Sequence, residues 1–267
     1  MDLGLRDRVY LVTGGSRGLG FAAAQTLVSE GARVVLSSRN EATVAAAATR
    51  LAESATAAGD VAWAAADNGE PAAAARLVEA AQNRFGRLDG ALVSVGGTPS
   101  GTGLGTTDDA WRSGFEDVFL GAVRLAREFV TRVEDQSGNG AATGTGASLV
   151  FVLAASVRVP LPNLPVSNGL FPGLAGVVKM LAGELGPRGI RLNGLLPVRI
   201  ATDRVRELDA RSGDPDEVRA RQSELIPLRR YGEPEEFGRA AAFLLSPAAS
   251  FITGAMVPVD GGAIPSI

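Results

Sequence analysis

Thr13-Gly14-Gly15-Ser16-Arg17-Gly18-Leu19-Gly20 decides the reading of this chain, because of where it lies. An apolar run over residues 9–13 leads into it, and a helical pattern over 19–30 leads out. Glycine has no Cβ, so this turn can be tight and its backbone can approach a ligand closely. The first amides of the following helix lack intrahelical partners and sit at the positive end of the helix dipole. At the first strand-to-helix junction of an alternating chain, such a turn predicts a cradle for the pyrophosphate of a dinucleotide. Gly14, Ser16, Arg17, Gly18, Leu19 and Gly20 are its candidate residues.

The rest of the chain supplies that alternation. Strand-like runs cover residues 9–13, 33–37, 61–66, 90–95, 148–154, 190–196 and 256–259. Helix-like stretches cover 19–30, 41–57, 71–85, 108–133, 172–185 and 234–245, with Pro71 and Pro234 at first helical positions. Strand and helix alternating over the whole length predict an α/β fold. Its form is a single Rossmann-type doubly wound parallel sheet of about seven strands, helices on both faces, and one domain over residues 1–267. Residues 100–107 and 136–148, rich in Gly, Thr, Ser and Ala, read as loops, the second a surface excursion.

Composition narrows the function. The 267 residues are 46% apolar and 21% charged, with a net charge of -3 and no basic stripe, which argues against nucleic acid as a partner. No apolar run is long enough to span a membrane. Residues 1–12 do not read as a signal peptide, so the expected location is cytoplasmic. There is no cysteine and no histidine, which removes thiolate chemistry, the commonest general base and the usual metal ligands. Lys179 is the sole lysine among 26 basic residues, and tyrosine occurs twice, at positions 10 and 231.

The end of the second strand reads Ser38-Arg39-Asn40. A ribose-binding carboxylate is expected about 20 residues beyond the Gly-rich turn. A hydroxyl and a guanidinium suit a 2′-phosphate instead, and Arg17 adds a second positive charge. The expected cofactor is NADP(H), with NAD(H) as second choice.

Several motifs in order resemble the short-chain dehydrogenase/reductase family, particularly members similar to 3-oxoacyl-carrier-protein reductases. Residues 13–20 resemble its TGxxxGxG loop, and Asp67 matches the acidic residue placed near the adenine. Arg188-Gly189-Ile190-Arg191-Leu192-Asn193 resembles the entry to its sixth strand. Ile252-Thr253-Gly254 with Val259-Asp260-Gly261-Gly262 resembles its closing signature. The wall motif after the fourth strand, usually NNAG, reads Ser94-Val95-Gly96-Gly97, which puts Gly96 beside the cofactor. Thr202 stands where a cofactor-contacting threonine is expected, although the preceding Pro-Gly reads Pro197-Val198.

The resemblance implies hydride transfer between nicotinamide and a carbonyl or alcohol. A tyrosine exchanges the proton, a lysine four residues on lowers the phenol's pKa, a serine polarises the substrate oxygen, and an asparagine supports a relaying water. Here Ser156 keeps the serine. The tyrosine, lysine and asparagine positions fall on Ser167, Phe171 and Val118. Tyr10 and Tyr231 lie too far along the chain to substitute. Lys179 is eight residues past Phe171, about 12 Å along a helix, and reads as a solvated helix face. Ser167-Asn168, with Pro160 and Pro162 before it, is similar to a divergent subgroup with an incomplete tetrad; Phe171 departs from the basic residue which that subgroup carries nearby.

Pro172 predicts a helix start at 172, which leaves Phe171 outside the helix and off the face of Ser167. Arg158 and Arg199 read as loop residues bordering the pocket, suited to an anionic small-molecule substrate or as solvated arginines. Two functions follow. One is an NADP(H)-dependent oxidoreductase with a rebuilt site, in which Ser156 and Ser167 are the catalytic candidates. The other is a catalytically silent cofactor-binding protein, a sensor or a partner in a mixed oligomer. Gly173, Gly176 and Gly183 permit close approach of a second copy, and the resemblance implies a homotetramer, or failing that a dimer.

Overall fold

Seven apolar runs form one parallel sheet, and the side chains of its central strands alternate between two buried faces. The computed structural model describes residues 2–55, 60–137 and 146–266. The strands are β1 (Val9–Val12), β2 (Arg33–Ser38), β3 (Val61–Ala65), β4 (Gly90–Ser94), β5 (Ala147–Val152), β6 (Ile190–Pro197) and β7 (Met256–Val259). Their order across the sheet is β3-β2-β1-β4-β5-β6-β7, and every neighbouring pair is parallel. Val9 and Leu11 of β1, with Leu149 and Phe151 of β5, face one core; Tyr10 and Val12, with Val150 and Val152, face the other.

Helices α1 (Gly18–Ser29), α2 (Glu41–Ala52) and α9 (Pro234–Leu245) cover one face. Helices α3 (Ala73–Phe85), α4 (Asp108–Gly114), α5 (Gly121–Ser137) and α6 (Pro165–Leu185) occupy the other side, and α7 (Asp203–Ala210) and α8 (Pro215–Glu224) lie between β6 and α9. The strand order turns back between β1 and β4. In parallel α/β sheets, ligands bind beyond the carboxyl ends of the strands at that switch point.

Sequence expectation and structure part at several places. The helix expected from 172 is α6, which starts at Pro165 and runs unbroken to Leu185, with Pro172 in its interior. The first-turn position that suits proline is taken by Pro165, and buried Val166, Ser167, Phe171 and Leu174 hold the helix on the sheet across the missing hydrogen bond. The helix expected over 108–133 is divided by a π-helical segment, Phe115–Leu120. Helix α3 begins two residues after Pro71, and α2 ends at Ala52; the rest of its expected span includes residues 56 and 57, outside the described residues. Of the loop expected over 136–148, the ends belong to α5 and β5, and 138–145 lie outside the described residues.

The two late motifs have structural work. Arg191 donates to the carbonyls of Leu244 and Ser246 at the end of α9, at 2.8 and 2.9 Å. Asn193 bonds Ile252 and Ala255, and Thr253 accepts from the Leu192 amide, so β6 fixes the segment leading to β7.

Candidate active site

The Gly-rich turn closes on contacts that a side chain would prevent. Gly14 and Gly18 have φ of +60° and +59°, and a Cβ at Gly20 would overlap the Gly14 carbonyl. The Thr13 hydroxyl accepts from the Ser94 amide at 2.8 Å and donates to the Ser94 carbonyl at 3.0 Å, tying β1 to β4 at the switch point. Arg17 caps α1 without a side-chain bond, so the first amides of α1 keep their donors. Leu19 packs on the core beside them. These features fit the diphosphate of a dinucleotide.

Arginines gather at the end of β2. Arg39 is exposed and makes no ion pair among the described residues, and the Ser38 hydroxyl beside it donates to Asn40 at 3.3 Å. Arg17 lies 3.4 Å from Glu207 of α7 in an exposed pair. Arg50 of α2 was not foreseen. It stacks 4.5 Å over the Phe21 ring and reaches the Ser16 carbonyl at 3.5 Å. Only the packing of α2 on α1 reveals it. Asp67 is half-buried and accepts from Gly69 at 3.1 Å, and Gly96 has φ of +77° with no atom near its Cβ position.

The two serines meet. Ser156 sits in a 3₁₀ turn, Ala155–Val157, after β5, and Ser167 in the first turn of α6. Their hydroxyls lie 2.9 Å apart, both buried. Asn168 holds the preceding loop by a reciprocal pair of 2.8 Å bonds to Leu161. Because α6 is continuous, Phe171 follows Ser167 by one turn, and both are buried. Val118 lies in the π-helical segment and is also buried. Two hydroxyls and two hydrocarbon side chains therefore occupy the four positions that the sequence comparison expected to be catalytic.

Comparison with known proteins agrees with this fold. The enoyl-(acyl carrier protein) reductase family model matches residues 14–263. The L-rhamnose 1-dehydrogenase (NAD(P)(+)) of Azotobacter vinelandii is 32% identical, over 97% of each chain. The levodione reductase of Leifsonia aquatica is 33% identical, over 96% of this chain and 94% of its own. The structure of L-sorbose reductase from Gluconobacter frateurii, complexed with NADPH and L-sorbose, superimposes with a TM-score of 0.90 at 28% identity and covers both chains fully. The chain is a short-chain dehydrogenase/reductase.

Other groups expected near the pocket of this short-chain dehydrogenase/reductase are engaged elsewhere. Arg199, at φ of +50°, pairs with buried Asp209 at 2.5 Å and so does not offer a free charge. Arg158 donates to the Met256 carbonyl at 3.0 Å and to Ser266, drawn toward the C-terminal segment. Lys179 is exposed as expected, but it also bonds the Gly254 carbonyl at 3.3 Å. Tyr231 donates to Asp209 at 2.9 Å; burial, then that bond, pushes its phenol up to about 12. Tyr10 is raised further by burial in the sheet. Neither tyrosine resembles an acid tuned to neutral pH. Thr202 caps α7 by accepting from Val205, and a Cβ at Gly18 would lie 3.6 Å from its methyl group, so it borders the Gly-rich turn. Among the described residues no group of acidic side chains could hold a metal ion.

Proposed function

We propose that this short-chain dehydrogenase/reductase is an NADP(H)-dependent oxidoreductase acting on a carbonyl or alcohol through a non-standard site. The observation that carries the reading is the cradle, whose glycines at 14, 18 and 20 leave room and donors for a diphosphate, while Arg39 at the end of β2 makes no ion pair among the described residues. Arg39, Arg17 and Ser38 hold the 2′-phosphate, with Asp67 at the adenine and Gly96 and Thr202 along the nicotinamide half. Relatives named for NADPH and NAD(P)(+) support the choice of NADP(H), with NAD(H) second.

When bound, the nicotinamide supplies the hydride. Ser156 and Ser167 then exchange their mutual hydrogen bond for bonds to the substrate oxygen and orient it. A serine hydroxyl has no acid–base pKa near neutrality, so the proton comes through water. Val118 and Phe171 exclude the relay and the cation that the wider family uses. That same substitution favours a second reading, a cofactor-binding protein without turnover that serves as sensor or oligomer partner.

The experiment is NADPH consumption with a panel of small carbonyl compounds, wild type against Ser156→Ala. Turnover reduced at least about 10-fold in the variant upholds the enzyme reading. NADPH binding with no turnover in either protein favours the silent one.

We also propose a homotetramer, with a dimer as fallback, in the cytoplasm. Its support is the outer face of α6, where a Cβ at Gly176 or Gly183 would meet no other part of the described residues within 4 Å and Met180 is 55% exposed. Among the described residues no helix is long and apolar enough to cross a membrane.

A further inference from the structure

Arg158 and Arg199 leave the cleft without the cations expected of them, and the structure brings another there. Arg204 is the second residue of α7. Its guanidinium occupies the space above Gly97, where a Cβ would overlap Cζ, Nη2 and Nε, and Nη2 donates to the carbonyl of buried Thr98 at 3.2 Å. That is its one hydrogen bond among the described residues, out of five N–H donors. It makes no ion pair among the described residues. Glu207, one turn on, pairs with Arg17, and neighbouring Asp203 makes no ion pair among the described residues. The seat depends on glycine at 97, because a Cβ there would overlap the guanidinium where it now lies and displace it.

Both flanks of that seat belong to the cleft. Gly96 and Gly97 follow β4 at the switch point, and Thr202, which caps α7, lies against Gly18 of the cradle. A guanidinium with free donors across such a mouth matches the paired oxygens of a phosphate or carboxylate. We infer that Arg204 is an anion-binding residue of this cleft, taking an oxyanion of the bound dinucleotide's diphosphate or of the substrate. With Phe171 in the position of the family lysine, α7 supplies a positive charge that the catalytic turn of α6 lacks. The inference rests on the dinucleotide reading above.

The test is calorimetric titration of wild type, Arg204→Gln and Gly97→Ala with NADPH and with 2′,5′-ADP, which carries the adenine-end phosphates and lacks the nicotinamide half. Oxamate is titrated into each protein saturated with NADP⁺. Glutamine keeps a donor for Thr98 and removes the charge, whereas alanine at 97 keeps the charge and fills its seat. The expected result is a loss of at least about 10-fold in both variants in one of two places, with 2′,5′-ADP binding unchanged. Weakened NADPH identifies the diphosphate as the anion; unchanged NADPH with weakened oxamate identifies a substrate carboxylate. Unchanged binding of all three ligands, or equal weakening of 2′,5′-ADP, overturns the inference while leaving the dinucleotide reading in place. Wild type that binds neither nucleotide removes both.

Discussion

A hydroxyl has no acid–base chemistry near neutrality without a base beside it, and that decides what Ser156 and Ser167 can do. They are 2.9 Å apart and bond each other, so they can turn toward a substrate oxygen but cannot replace a tuned phenol. Because α6 is continuous, Ser167→Tyr with Phe171→Lys places a tyrosine and a lysine one turn apart. If the missing acid limits turnover, NADPH consumption with a carbonyl acceptor rises by about 10²-fold or more in the double variant. An unchanged rate contradicts that reading. At the other end of the cofactor, Arg39→Ala is expected to weaken NADPH by at least about 10-fold and leave NADH unaltered, because only NADPH carries the phosphate which that charge addresses. Comparing the two dissociation constants in one buffer checks it. The identities of these residues were legible in the sequence. Their engagement was not: Arg199 is neutralised by Asp209, ten residues on, and Arg50 reaches Ser16 only through the packing of two helices.

At the scale of elements, α6 is where local rules and tertiary packing disagree. Pro172 has no amide hydrogen to give the Asn168 carbonyl, and its ring crowds the preceding turn. Sequence reasoning weighed that cost and started the helix there. The buried face from Val166 to Leu185 outweighs it, which no propensity scale could register. Pro172→Ala restores the bond at an exposed position and is expected to stabilise the protein by at least about 1 kcal/mol, raising the melting temperature by about 2–4 °C. A lower melting temperature would mean that the proline is accommodated without strain. By contrast, β1, α1 and β7 fell close to expectation, because alternation and the Gly-rich turn are local signals. The π-helical segment Phe115–Leu120 carries no such signal, since its residues read as ordinary helix.

For the whole molecule, the alternation of strands and helices was enough to foresee a parallel doubly wound sheet. The shape of the segment after β6 was not foreseeable: α7 and α8 have polar, weakly patterned sequences, yet they bring Arg204 to the mouth of the cleft. Stability should carry one identifiable acid limb. Glu236 takes two 2.7 Å bonds from Arg230 and one from the Glu233 amide; the arginine first, then the amide, lowers its carboxyl from 4.5 to about 2. Its contribution is therefore fully present above about 4.5 and is lost as pH falls toward about 2. Glu236→Gln should remove that part of the acid dependence, and denaturant midpoints from pH 6 to 2 would show it as converging curves. Curves that stay parallel would contradict it.

The central claim is that this fold keeps a working NADP(H) cleft although its catalytic turn has changed. Calorimetric titration of the nucleotide-free protein with NADPH and then NADH tests it most directly. The expected result is micromolar NADPH binding with NADH at least about 10-fold weaker. Equal or tighter NADH binding contradicts the role given to Arg39, and binding of neither contradicts the account at its root.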